Sequence, residues 1–123
     1  MDKTLLTREE NSIRKALIKR AKIGSNYSYT QLTEEVCPQF DMDDPSDRGE
    51  LGHVLGNISR FEVEHGRPML SAIVVRQDTR IQGGGFFDLA EELGLMKATD
   101  TIEGFAVAEN RRVKLYWKSH SDI

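Results

Sequence analysis

The chain has 123 residues, 38% of them hydrophobic and 30% charged, with 17 Lys and Arg against 20 Asp and Glu for a formal charge of −3. Those proportions argue against whole-chain disorder and supply one hydrophobic core, so a single domain over residues 1–123 is expected. No apolar run exceeds four residues, as at Ala72-Ile73-Val74-Val75, far short of the roughly 20 that cross a bilayer, and no basic-then-apolar start is present. A cytoplasmic chain with no membrane partner is therefore expected. The one cysteine, Cys37, excludes an internal disulfide and a multi-thiolate zinc site.

Thr7 and Glu10 form a capping box, followed by Ile13, Leu17 and Ala21 at four-residue spacing and a stop at Gly24, which predicts a first helix. Ser28 and Gln31 form a second box, and Tyr27 with Leu32 has the spacing of a hydrophobic staple; this short helix should end near Cys37-Pro38. The acidic stretch 39–47 reads as a loop. Asp44 before Pro45, with Asp47 in the first turn, predicts a third helix. It buries Leu51, Val54, Leu55, Ile58 and Phe61, turns Glu50, His53, Asn57, Arg60 and Glu64 outward, and ends at Gly66. Gly52 and Gly56 each cost it about 1 kcal/mol, and tight helix packing is the expected compensation.

Residues 69–75, β-branched and apolar, predict a strand, Asp78-Thr79 a turn, Ile81 a return strand, and Gly83-Gly84-Gly85 a bend into a fourth helix from Phe86 to Leu93. Phe86, Phe87, Leu89 and Leu93 are its core candidates. Residues 103–118 fit either a helical face with Glu109 as its polar exception or two alternating strands around Asn110. Ala106, Ala108 and Arg111-Arg112 favour the helix. Tyr116 and Trp117 should pin it to the core.

The expected fold is thus mainly α with a small β-hairpin, the order of a winged-helix domain whose third helix and wing contact a ligand. Local segments sharpen this. Ser28-Tyr29-Thr30-Gln31-Leu32 resembles the Ser-Tyr-x-x-Leu segment of the O6-alkylguanine DNA alkyltransferases and alkyltransferase-like proteins. Leu51-Gly52-His53-Val54-Leu55-Gly56 is similar to the Val-Gly stretch of their recognition helix. Val74-Val75-Arg76 through Gly84-Gly85-Phe86 resembles their Val-Val strand and Gly-Gly-Tyr bend. The resemblance implies DNA binding, with Tyr29 and Arg48 near the positions of family residues that meet DNA. It does not carry methyl transfer: Leu70-Ser71-Ala72-Ile73 stands where the transferases have Pro-Cys-His-Arg, so Ser71 replaces the alkyl-accepting cysteine. The alkyltransferase-like members also lack that cysteine and bind damaged DNA without repairing it, but they keep the histidine and arginine in whose place this chain has Ala72 and Ile73.

The expectation is a non-enzymatic DNA-binding module that contacts its ligand through Tyr29, Arg48, His53, Asn57 and Arg60 and through the wing residues Arg76, Gln77, Arg80 and Gln82. The net charge and Glu50, Glu62 and Glu64 along the same helix oppose it, while Arg14, Lys15, Lys19, Arg20 and Lys22 on the first helix offer a local basic patch. The alternative is an acidic module, such as an immunity or inhibitor protein, whose Asp41, Asp43 and Asp44 engage a basic partner. Metal ligation has no supporting spacing at His53, His65 or His120, and Gly83–Gly85 lacks the Lys-Ser/Thr of a phosphate loop. No cofactor and no catalytic residue is expected.

Overall fold

The computed structural model describes residues 4–121. Five helices and two short strands follow in the order α1 (Arg8–Lys22), β1 (Tyr27–Ser28), α2 (Tyr29–Glu35), α3 (Pro45–Glu64), a single 3-10 turn (Leu70–Ile73), β2 (Val74–Val75), α4 (Gly84–Glu92) and α5 (Ile102–Ser119). The capping chemistry read from the sequence sets the boundaries. Thr7 and Ser28 each accept from, and are answered by, the residue three positions on, which closes both capping boxes. Asp44 Oδ1 accepts the Ser46 N–H at 2.9 Å ahead of Pro45. Gly24, Gly66 and Gly94 follow α1, α3 and α4 with φ of +72°, +74° and +76°, a region glycine enters without steric cost.

The centre of the molecule is the segment 69–75. Every residue in it is buried, including Ser71. The 3-10 turn packs against α1, α3 and α5, and β2 pairs parallel to β1, Tyr27 against Val74 and Ser28 against Val75. This corrects the expected antiparallel hairpin. A wing strand alternates between buried and exposed positions, whereas a run buried on all sides is a core element whatever its β propensity. Beyond β2 the chain closes a turn, with Arg76 N–H donating to Ile81 O at 2.7 Å and Arg80 N–H to Arg76 O at 2.9 Å. Ile81 forms no strand. Gln82, expected on the wing, is buried and its Nε2 donates to Ala72 O at 2.6 Å.

Residues 102–119 form one helix, α5, and the reason lies in the same central segment. Glu109, the polar exception on the apolar face, is 1% exposed and its Oε2 accepts the Met69 N–H at 2.9 Å. Asn110 Nδ2 donates to Ala72 O at 2.9 Å. Two side chains of α5 thus satisfy backbone groups that a hairpin partner would otherwise have paired. Phe105, Ala106, Val113 and Trp117 complete the buried face, and Phe86, Phe87 and Leu89 of α4 join the same core.

One ion network crosses this core. Glu62 is fully buried; Arg14 Nε meets its Oε2 at 2.7 Å and Arg67 Nε its Oε1 at 2.8 Å. The Arg14 guanidinium also lies 5.3 Å from the Phe61 ring centroid and 5.7 Å from that of Trp117. Arg14 and Glu62, read from sequence as surface charges, are therefore core residues joining α1, α3 and α5. Among the described residues no helix is long and apolar enough to cross a membrane.

Candidate functional site

A cavity of about 780 Å³ opens between α2, α3, the 76–81 turn and the start of α4. Its α3 wall is built by glycines. Gly49, Gly52 and Gly56 recur at i, i+3 and i+7 along one face, with Leu55 beside them. A Cβ at Gly49 or Gly52 would meet nothing within 4 Å, and one at Gly56 only Leu89 Cδ2 at 3.8 Å. Tight helix packing therefore does not explain these glycines. What their missing side chains leave is open volume, of a size that commonly accommodates a small organic ligand.

Polar groups converge on that volume from three elements. The Tyr29 hydroxyl accepts the Gly83 N–H at 3.2 Å. Burial raises its pKa, against the opposing pull of that N–H and of the Arg76 charge, so the phenol stays protonated and keeps a hydrogen to donate. Gly83 brings its backbone close to the ring: a Cβ there would stand 3.1 Å from the Tyr29 hydroxyl oxygen, a tight contact that the phenol would have to shift to relieve. Ser71 lines the cavity; its N–H donates to Ser59 Oγ at 3.0 Å and the two hydroxyl oxygens are 2.6 Å apart. The Ser71 hydroxyl is thus a hydrogen-bonding group held by a second hydroxyl. The first turn of α4 begins at Gly84 with no side-chain cap, so N–H groups at the positive end of a helix dipole stand at the cavity wall.

Arginines flank the opening. Arg48 donates through Nη1 to Met42 O at 2.8 Å, and Arg76 Nη2 lies 3.3 Å from Asp78 Oδ2, both on exposed side chains. Met42, Leu55, Phe86 and Leu89 supply apolar wall. The ensemble suits a flat, partly polar heterocycle with an anionic tether: apolar faces for the ring, hydroxyls for its edge, and cations and helix N–H groups for the charge.

The remaining site candidates lie elsewhere. Asn57 does not face outward: its Nδ2 donates to Glu10 Oε2 of α1 at 3.0 Å. Arg60 is paired with Glu92 of α4 at 2.5 Å. His53 is exposed on α3. Arg80, with φ of +64°, lines a second cleft on the other side of the 76–81 turn, so Arg76 and Arg80 do not form one wing surface. The basic run of α1 is likewise divided, because Arg14 is buried, Arg20 stacks over Tyr27 at 4.3 Å, and Lys22 Nζ donates to His120 O at 2.6 Å.

The acidic loop is largely occupied with itself. Asp43 N–H donates to Asp41 Oδ1 and Asp41 N–H to Asp47 Oδ2, each at 2.9 Å, while Asp44 caps α3. These bonds build the turn that presents Arg48 and Met42. Cys37 is buried and its pKa is pushed up to about 11 by burial and by the Glu9 charge, so it is a thiol at neutral pH. No group of three or more His, Cys, Asp or Glu among the described residues is placed to hold a metal ion.

Of the expected DNA-contacting residues, Tyr29, Arg48 and Arg76 line this one cavity, together with Ser71. Sequence reasoning missed Met42 and Gly49 and misassigned Gly52 and Gly56. The signal was present as three glycines at helical spacing with small or polar residues around them. Comparison with protein-family models, with curated proteins and with solved structures gave no match.

Proposed function

We propose that this protein is a non-enzymatic DNA-binding module that receives a single base, turned out of the stack, in the cavity beside α3. The observation that carries this reading is the glycine-walled cavity with the Tyr29 and Ser71 hydroxyls inside it and Arg48 and Arg76 at its rim. Proteins that read an extruded base use this combination of apolar faces, edge hydrogen bonds and nearby cations for the flanking phosphates. The local likeness to the alkyltransferase-like proteins supports the same reading, and Ser71 in place of the cysteine favours binding without transfer.

Fluorescence anisotropy of labelled duplex and single-stranded DNA, with and without an O6-alkylguanine, tests it at two salt concentrations. Binding should weaken with salt and be stronger for the altered or unpaired base, whose extrusion costs less. Changing Arg48 and Arg76 together to Ala should weaken all binding and lower the log–log salt slope by about 1 to 2. Gly52→Leu should remove the preference for the altered base while leaving the salt-dependent part. Absence of binding at low salt, or an unchanged preference in Gly52→Leu, overturns the proposal.

A further inference from the structure

The second cleft, of about 580 Å³, lies between the C-terminal end of α1, the far side of the 76–82 turn and the outer face of α5. Lys22, Arg80, Arg111, Lys114 and Lys118 line it, and no carboxylate does. In a chain of net charge −3 this is a marked segregation of sign. Arg80, Arg111, Lys114 and Lys118 make no ion pair within the cleft among the described residues.

Apolar side chains are interleaved with these cations. Ile23 is 74% exposed, Val107 67% and Leu115 57%, and all three line the same cleft. Along α5 the lining residues Val107, Arg111, Lys114, Leu115 and Lys118 follow helical spacing, a stripe of about 16 Å at roughly 1.5 Å per residue. At the base of the cleft Gln82 is 3% exposed, and its Oε1 has no hydrogen-bond partner among the described residues.

From this arrangement we infer that the cleft docks an acidic amphipathic helix of a partner protein, about three turns long, with carboxylates on the α5 cations and aliphatic side chains on Ile23, Val107 and Leu115. A helix laid in a groove places its anchors at i, i+3 or i+4 and i+7; on α5 the apolar contacts Val107 and Leu115 lie two turns apart with Arg111 and Lys114 between them, and Ile23 adds a third from the end of α1. Charge of one sign around the groove selects an acidic partner and speeds its encounter. Burial already lowers the pKa of Lys114, and a carboxylate over that ammonium would offset the desolvation.

Nucleic acid fits this cleft less well. Phosphate contacts are wet and leave aliphatic side chains without a partner, and single strands need aromatic platforms, of which the lining has none. The inference is independent of the base-binding proposal, since the two cavities share no lining residue.

Selection of a displayed library of helix-forming peptides of 18 residues (~three turns of contact plus flanks) against the purified protein tests it. Enriched sequences should combine Asp or Glu with Leu, Ile or Phe at i, i+3 and i+4 spacing, and a synthetic copy should shift the α5 amide resonances. Arg111→Glu with Lys114→Glu should weaken that peptide about tenfold or more. Val107→Ser with Leu115→Ser, which leaves the charge unchanged, should weaken it about fivefold or more. Val107, Arg111 and Leu115 are exposed and Lys114 is half-buried, and an unchanged melting temperature verifies that each variant is folded. The inference is overturned if no acidic peptide is enriched, if either double variant binds as the parent does, or if duplex DNA rather than peptide titrates the α5 amides.

Discussion

Glu62 sits with no exposed surface between two guanidiniums, and most of its energetic weight would be felt on removing one partner. A buried ion pair adds little over an apolar replacement, but removing a carboxylate that bridges two guanidiniums takes away both charge-assisted contacts at once and leaves a cavity. Glu62→Ala should therefore destabilise the fold by about 3–5 kcal/mol in urea denaturation, with loss of the α1–α3–α5 junction as the physical cause; a cost below about 1 kcal/mol would mean that the pair behaves as a surface one. Cys37 gives a second test at this scale. Its raised pKa, about 11, means that the folded state favours the thiol more than the unfolded chain does. The associated stability is complete below the ordinary thiol range and is lost as pH rises through about 11. Iodoacetamide at neutral pH should leave Cys37 unmodified in the native protein and label it promptly in denaturant; equal rates would show that the thiol is accessible.

At the scale of elements, the proposed base-binding role sets the stability of α3 against the volume beside it. Gly52 costs helix propensity, and a Cβ there meets no obstacle, so Gly52→Ala should raise stability by roughly 0.5–1 kcal/mol. The same methyl narrows the cavity, so the variant should gain melting temperature and lose affinity for the altered base. The N-terminus of α3 depends on Asp44, and Asp44→Ala should cost about 1 kcal/mol, read from the denaturation midpoint. Elements set by local chemistry were legible beforehand: the capping boxes at Thr7 and Ser28, the Asp44-Pro45 start and the glycine stops all act within four residues of one another. The segment 69–75 was not. Its composition satisfies a strand, but burial on every side makes it a central 3-10 turn and a two-residue parallel strand.

Across the whole molecule, α5 completes the core. Glu109, Asn110, Val113 and Trp117 cover the central segment, so a chain ending at residue 101 would expose Met69 to Val75 on one side. Such a truncation should lose cooperative thermal unfolding and amide dispersion, and a truncated protein that melts as sharply as the full chain would show that α5 is an appendage. Charge is also organised at this scale. The 76–82 turn separates two concave surfaces, one with two rim arginines and a glycine wall, the other with five cations and exposed aliphatic side chains. Arg76 belongs to the first and Arg80 to the second, although only four positions separate them.

The sequence by itself determined the first four helices, their caps and the apolar face of α3, because these depend on periodicity and on hydrogen bonds between near neighbours, while it left residues 103–118 open between a helix and a hairpin. Only the tertiary structure decided that Arg14 and Glu62, 48 positions apart, meet in the core, where Arg67 joins them. It also turned Asn57 towards Glu10, replaced the hairpin by a buried segment, and made Gly49, Gly52 and Gly56 the wall of a cavity. Each of those outcomes rests on which surfaces meet across the fold, and burial, not residue type, is what converts a surface charge into a core pair or a small residue into open volume.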